Sequence, residues 1–124
     1  ERLGRRAVTH IDKVKPQELV YLYNVADLFV WLSDYEGFGL PPLEAMACGT
    51  SVVTSRAGSL PEVLGDAALY VENSSDVEEI ALRMKNVLND TALRDDLIQK
   101  GLSRALNYSW RKTTKQTLNV LLHE

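Results

Sequence analysis

Leu28-Phe29-Val30-Trp31-Leu32 is apolar at every position. A short unbroken run of this kind suits a strand buried on both faces of a parallel sheet. Ser51-Val52-Val53-Thr54 reads as a second core strand, and Ala67 to Val71 as a third, at or near a sheet edge. A weaker strand, Arg6 to Ile11, carries Val8, Thr9 and Ile11. Between these runs the apolar spacing lengthens to that of helices. Pro16 opens one helix, with Leu19, Leu22, Tyr23 and Ala26 in step, and Asp27 ends it. Pro41 or Pro42 opens the next and Gly49 closes it. Ser59-Leu60-Pro61-Glu62 has the capping-box spacing and starts a short helix that Gly65 ends. Ser75 and Glu78 repeat that spacing ahead of a stripe formed by Val77, Ile80, Ala81, Met84, Val87 and Leu88. Leu93, Leu97, Ile98, Leu102 and Ala105 make another stripe, and Ser109 caps a last helix bearing Trp110, Leu118, Leu121 and Leu122.

Strands alternating with helices over residues 6 to 90 predict an α/β fold. Its centre is a Rossmann-like, doubly wound parallel sheet of about four strands with flanking helices. The three terminal helices are expected to cover the sheet, with Trp110 packed onto the domain. Residues 1–124 form a single domain with one modest core. Glu1-Arg2-Leu3-Gly4 reads as the end of a helix with a glycine stop, so a larger protein is expected around this chain.

Composition narrows the function by exclusion. Hydrophobic residues make up 45% and charged residues 25%, as in ordinary globular domains. A net charge of -3 leaves no globally basic surface, so no nucleic-acid partner is expected. The clusters Arg2, Arg5, Arg6 and Arg111, Lys112, Lys115 read as solvated faces. Cys48 is the single cysteine, which rules out an internal disulfide and fits a reducing compartment. Its place on an apolar helix reads as a small buried hydrophobe. His10 and His123 lack metal-ligand spacing, so no metal site is expected.

The chemistry concentrates in Glu36-Gly37-Phe38-Gly39-Leu40-Pro41-Pro42-Leu43-Glu44, between a strand and a helix. In an open α/β sheet, ligands sit outside the carboxyl ends of strands. Gly37 and Gly39 permit positive φ and let a ligand approach the backbone. The prolines cannot donate, which leaves the amides of Gly37, Phe38, Gly39 and Leu40, then Leu43 and Glu44. Near a helix N-terminus such amides favour an anion, a diphosphate for example. Glu44, placed in the helix's first turn, offers two oxygens to a vicinal diol such as ribose, and Glu36 can accept from sugar hydroxyls. The third glycine of a dinucleotide fingerprint and the Gly-Lys-Ser/Thr of a P-loop are both missing. A glycine loop with dipole-favoured carboxylates and no ligand is the competing reading. Tyr35 and Phe38 could stack on a sugar, although packing against the sheet end is expected of Phe38. Trp31 reads as core or interface.

Ala26-Asp27-Leu28-Phe29-Val30, the glycine loop through Glu44-Ala-Met-Ala-Cys-Gly49-Thr, Val52-Val53 and Leu60-Pro61-Glu62-Val63 together resemble the carboxy-terminal domain of glycosyltransferase family four. The resemblance covers nearly the whole chain, including Ser109-Trp110, and it implies that the last helix reaches towards an amino-terminal domain, so that part of its apolar face is expected to be exposed here. It implies a retaining GT-B enzyme that binds a nucleotide-diphospho-sugar between two Rossmann-like domains. On matching positions, Glu36 takes the catalytic place beside the donor sugar and Glu44 binds the ribose. The amides of Gly37, Phe38, Gly39, Leu40 and Leu43 meet sugar hydroxyls or the diphosphate. The sugar passes to an acceptor hydroxyl by front-face attack, without cofactor or metal. The sequence is closest in flavour to bacterial mannosyltransferases of surface-polysaccharide assembly, which points to GDP-mannose, a cytoplasmic setting and the inner face of the membrane.

The resemblance also implies absences. The family's amino-terminal domain, the first strands of this one and its phosphate-binding Arg and Lys have no counterpart here. Arg56 does not match that Arg and reads as a solvated loop residue. Asp12 stands where glycine is frequent in the family, and Leu32 and Ser51 where proline is. Without its neighbours, the strand at residues 7 to 11 is expected to be displaced, to pair differently or to be held by another chain. The 124-residue chain alone is expected to transfer no sugar, and detectable transfer would refute this. The alternative is a non-catalytic binding or oligomerisation module, with homo-oligomers formed through an exposed sheet edge.

Overall fold

The computed structural model describes residues 7–122. The helix end at Glu1 to Gly4, the Arg2, Arg5 and Arg6 cluster and His123 lie outside the described residues. The elements run α1 (Pro16–Val25), β1 (Phe29–Trp31), α2 (Leu40–Ala47), β2 (Val52–Ser55), α3 (Leu60–Leu64), a 3-10 turn at Gly65–Ala67, β3 (Leu69–Val71), α4 (Val77–Asn89), α5 (Thr91–Ala105) and α6 (Trp110–Leu122). The strands form one parallel sheet in the order β1-β2-β3, with Val30 beside Val53 and Val53 beside Leu69.

The sheet has three strands rather than about four. Residues 8–11 belong to no strand, and Val8 and Ile11 are exposed. A strand needs a partner for its backbone groups, and β1 pairs only with β2 among the described residues. The apolar run at Leu28 to Leu32 does pack on both faces of the sheet, as expected, but as an edge strand β1 is half-buried rather than fully buried. β2 is the central strand and is buried throughout, and β3 lies at the other edge as expected.

Side chains alternate across the sheet with period two. Phe29, Trp31, Val52 and Tyr70 face a core shared with Leu43, Met46, Leu60 and Leu64. Val30, Val53, Leu69 and Val71 face a second core with Val87 and Leu97. α5 serves both, through Leu97 on one side and Ala105 on the other. Gly101 lets it approach α2 closely: a Cβ there would lie 3.1 Å from the Met46 Cγ.

Two helix caps differ from the sequence reading. Asp76 caps α4, accepting from the amides of Glu78 and Glu79 at 3.0 Å each, so the Ser75–Glu78 box does not form. Asp competes well for an N-cap, and here it stands one residue closer to the helix. The Ser59 hydroxyl also leaves its own helix, donating instead to the Glu36 carbonyl. Ser109 does cap α6, accepting from the Lys112 amide at 3.2 Å. α6 nevertheless does not cover the sheet. It is exposed along its whole described length, and Trp110 is 76% exposed instead of packed onto the domain. No helix among the described residues is long and apolar enough to cross a membrane.

Candidate donor-binding site

All three strands end on the same side, and hydrogen bonds tie their carboxyl ends together. Thr54 Oγ1 donates to the Trp31 carbonyl at 2.7 Å. The Ser55 hydroxyl accepts from the Ser33 amide at 3.0 Å and donates to the Ser33 carbonyl at 2.6 Å. Further along, Asp34 accepts from the Ser74 hydroxyl at 2.6 Å. The β1–α2 loop therefore leaves the sheet with its first residues fixed.

Glu36 is held at both its backbone and its side chain. Its carbonyl accepts from the amide and the hydroxyl of Ser59, each at 3.1 Å. Its carboxylate accepts from the Trp31 indole N–H at 3.0 Å. The β2–α3 loop closes on it so tightly that a Cβ at Gly58 would stand 2.2 Å from the Glu36 carbonyl oxygen. Gly58 also has φ +54°, a conformation that favours glycine.

The four residues after Glu36 divide by role. Gly39 is left-handed at φ +92° and lies against Leu60, whose Cδ2 would be 2.5 Å from an added Cβ. Gly37 needs no positive φ, and nothing lies within 4 Å of where its Cβ would be. The fold therefore requires glycine at position 39 and leaves position 37 open. The amides of Gly37, Phe38, Gly39 and Leu40 donate to no group among the described residues. Leu40 begins α2, so its N–H has no acceptor within the helix. The Leu43 amide donates to the Gly39 carbonyl at 3.3 Å and is not a free donor. Its side chain is buried.

Glu44 is the fifth residue of α2, past the first turn in which the sequence reading put it. The helix starts at Leu40, ahead of both prolines, whose missing N–H groups cost nothing there. Glu44 remains exposed and accepts from the Tyr23 hydroxyl at 3.3 Å. Burial first, and then the Glu44 charge and hydrogen bond, push the Tyr23 hydroxyl up to about 12, so it keeps its proton and stays a donor.

A cleft of about 410 Å³ runs from Phe38 and Leu40 past Glu44 to Tyr108, Trp110 and Thr113 at the start of α6. That volume is in the range of small-molecule sites. Phe38 does not pack on the sheet end. It is 41% exposed and meets the Tyr108 ring edge-on at 5.7 Å. Tyr108 is fixed in turn by donating to the Val63 carbonyl at 3.1 Å. Trp31, Ser59, Tyr23 and Tyr108 thus belong to the site's framework, and sequence reasoning assigned none of them to it. Only Trp31, five residues ahead of Glu36, lay near enough in the chain to signal its part.

The remaining candidates fall elsewhere. Arg56 is an exposed loop residue, as expected, and it also pairs with Glu72 at 2.7 Å and lies 4.6 Å over the Tyr70 ring. His10 and Tyr35 are exposed, and Cys48 is half-buried. Among the described residues, no three His, Cys, Asp or Glu side chains gather as metal ligands.

Residues 1–104 match the family model described as glycosyl transferases group 1. The chain is similar to O-antigen chain mannosyltransferase B of Escherichia coli, with 45% identity over 113 residues, 91% of this chain and 29% of that protein. Serotype-specific mannosyltransferase WbdA of Escherichia coli is 43% identical over 112 residues, 90% of this chain and 14% of that protein. The chain therefore spans less than a third of either relative. Among solved structures, sucrose-phosphate synthase from Thermosynechococcus elongatus superposes with a TM-score of 0.86 at 29% identity, over 94% of this chain and 30% of that one. The C-terminal domain of the glycosyl transferase group 1 family protein LpcC from Francisella tularensis matches with a TM-score of 0.65 at 31% identity, over 81% of this chain and 51% of that one.

Proposed function

The chain belongs to the glycosyl transferases group 1 family, and on that premise we propose that it is the donor-nucleotide part of a retaining enzyme. The rest of that enzyme supplies the acceptor side. Glu36 lies beside the donor sugar, and Glu44 takes the ribose hydroxyls. The amides of Gly37, Phe38, Gly39 and Leu40 take the diphosphate and neighbouring sugar hydroxyls. Leu43 drops out as a donor and keeps only a place in the cleft wall. One observation carries this reading: four uncommitted amides stand between two carboxylates that are each already held by an aromatic donor. The open space at Gly37 supports it, since the fold itself places no demand for glycine there.

In this scheme the bond from the anomeric carbon to the diphosphate oxygen breaks. The acceptor hydroxyl attacks on the same face. Its proton passes to the departing phosphate oxygen, and the new glycosidic bond keeps the anomeric configuration. The loop amides stabilise the charge that builds on the leaving group, which fixed donors do without reorganising. The mannosyltransferase names of the relatives support mannose as the sugar and GDP-mannose as the donor. The O-antigen name supports work at the cytoplasmic face of the membrane. The donor is a substrate, and the scheme calls on no cofactor.

A second reading, a non-catalytic binding or oligomerisation module, is favoured by the exposed apolar face of α6 and the edge of β1 that is unpaired among the described residues. Calorimetric titration with GDP-, UDP- and ADP-hexoses separates the two. Binding of one of them, weakened by about tenfold or more in Glu44→Ala, is the expected result, as for loss of a hydrogen-bonded charged group. If the chain binds none of them, the module reading takes its place.

A further inference from the structure

The two carboxylates of the site stand on different elements, yet one continuous row of rings holds them both. Tyr23 in α1 meets Phe29 edge-on, with centroids 5.3 Å apart and planes at 82°. Phe29 stacks on Trp31 at 6.1 Å and 15°, both rings lying on the same face of β1. The outer end of each terminal ring carries a polar hydrogen, and each of those hydrogens points at a site carboxylate. The Tyr23 hydroxyl donates to Glu44 Oε2 at 3.3 Å, and the Trp31 indole donates to Glu36 Oε2 at 3.0 Å. Tyr23 is buried, and Phe29 and Trp31 are half-buried against the same core, so the row is anchored on α1 and β1 rather than on the glycine loop.

We propose that the row Tyr23–Phe29–Trp31 is a positioning device that fixes the two carboxylates relative to each other, Trp31 aiming Glu36 at the sugar and Tyr23 aiming Glu44 at the ribose. This rests on the donor-site reading above. A carboxylate with one oxygen held by a ring donor keeps its other oxygen available to a ligand, and rotamer freedom is lost before the ligand arrives, which lowers the entropy cost of binding. The rings do not touch the donor in this scheme. They act through the carboxylates they hold.

The two ends of the row make different predictions, and this separates positioning from packing. Trp31→Phe and Tyr23→Phe keep a ring in place and remove only the polar hydrogen. Calorimetry on the whole chain with GDP-mannose and GDP, or with the UDP or ADP pair if that base binds, reads the outcome. Trp31→Phe is expected to weaken the sugar nucleotide about tenfold and to leave the bare diphosphate unchanged, because Glu36 serves only the sugar. Tyr23→Phe is expected to weaken both ligands alike, because both contain the ribose. Equal loss of both ligands in Trp31→Phe, or no loss of either, overturns the proposal.

A second measurement needs no ligand. The chain has two tryptophans, and the indole N–H resonance that vanishes in Trp31→Phe belongs to Trp31. In Glu36→Ala that resonance is expected to move while that of Trp110 stays. If it does not move, Trp31 does not hold Glu36 and the row is only packing. If the wild-type chain binds neither sugar nucleotide nor diphosphate, the donor-site reading itself fails and takes the function of the row with it. The indole shift still tells that failure apart from a failure of the Trp31–Glu36 contact.

Discussion

Replacing Gly58 with alanine is expected to destabilise the chain by about 2–4 kcal/mol, the range of severe backbone and packing defects. Two costs combine. The residue sits at φ +54°, which an L side chain adopts only with strain. The new Cβ would also stand 2.2 Å from the carbonyl oxygen of Glu36 and 3.1 Å from its nitrogen. These are backbone atoms, and no rotamer change can move them aside. Relief requires the two loops to part, which breaks both hydrogen bonds from Ser59 to Glu36. Urea unfolding of the purified variant measures the loss. Gly37→Ala is the control: with ordinary φ and open space around the added methyl, it should stay within about 0.5 kcal/mol of the parent. Equal stability of the two variants would contradict the tight closure of the loops.

Leu60→Ala is expected to cost about 2–5 kcal/mol, the usual range for emptying a fully buried leucine site. Leu60 has 0% exposure and packs in the larger core cluster with Met46, Val52 and Leu64. It also lies directly beneath Gly39, so the cavity opens under the loop that carries the free amides. Leu82 is exposed on α4 and offers a comparison in the same experiment. The same truncation there should change stability by about 0.5 kcal/mol or less, apart from a small helix-propensity effect.

The sequence was legible where its signals were local. The strand–loop–helix order follows from residues within one short stretch, although Gly37 and Gly39 read alike there and only Gly39 takes a positive φ. What it missed depends on partners distant in the chain. The Ser59 hydroxyl has the spacing of a capping box, yet it finds an acceptor 23 residues away at Glu36, and no local rule weighs that competitor. Trp31 is only five residues from Glu36, but an apolar run does not say which face of the strand the indole will occupy or that its N–H will reach a carboxylate. The two prolines left the start of α2 open, and the helix takes Leu40 as well, which carries Glu44 beyond the first turn.

The same limit applies to the termini of the fold. Val8, Thr9 and Ile11 have strand-forming side chains, but propensity alone supplies no partner, and the segment stays unpaired among the described residues. In α6 the apolar stripe formed by Leu118, Leu121 and Leu122 was legible from its spacing, whereas its exposure was expected only from the family resemblance. Periodicity identifies a face that is suited to burial, and only the tertiary structure shows whether a neighbour covers it.

The closure of Gly58 and Ser59 over Glu36 also bears on protein engineering. Transplanting residues 33 to 44 into another parallel sheet would carry both glutamates and all the free amides, but it would leave the Glu36 backbone unsupported. The smallest portable unit is a pair of loops from adjacent strands, moved together with the spacing between β1 and β2 that lets one rest on the other. Libraries that vary the loop after β2 would therefore move the Glu36 backbone without changing a residue of the glycine loop.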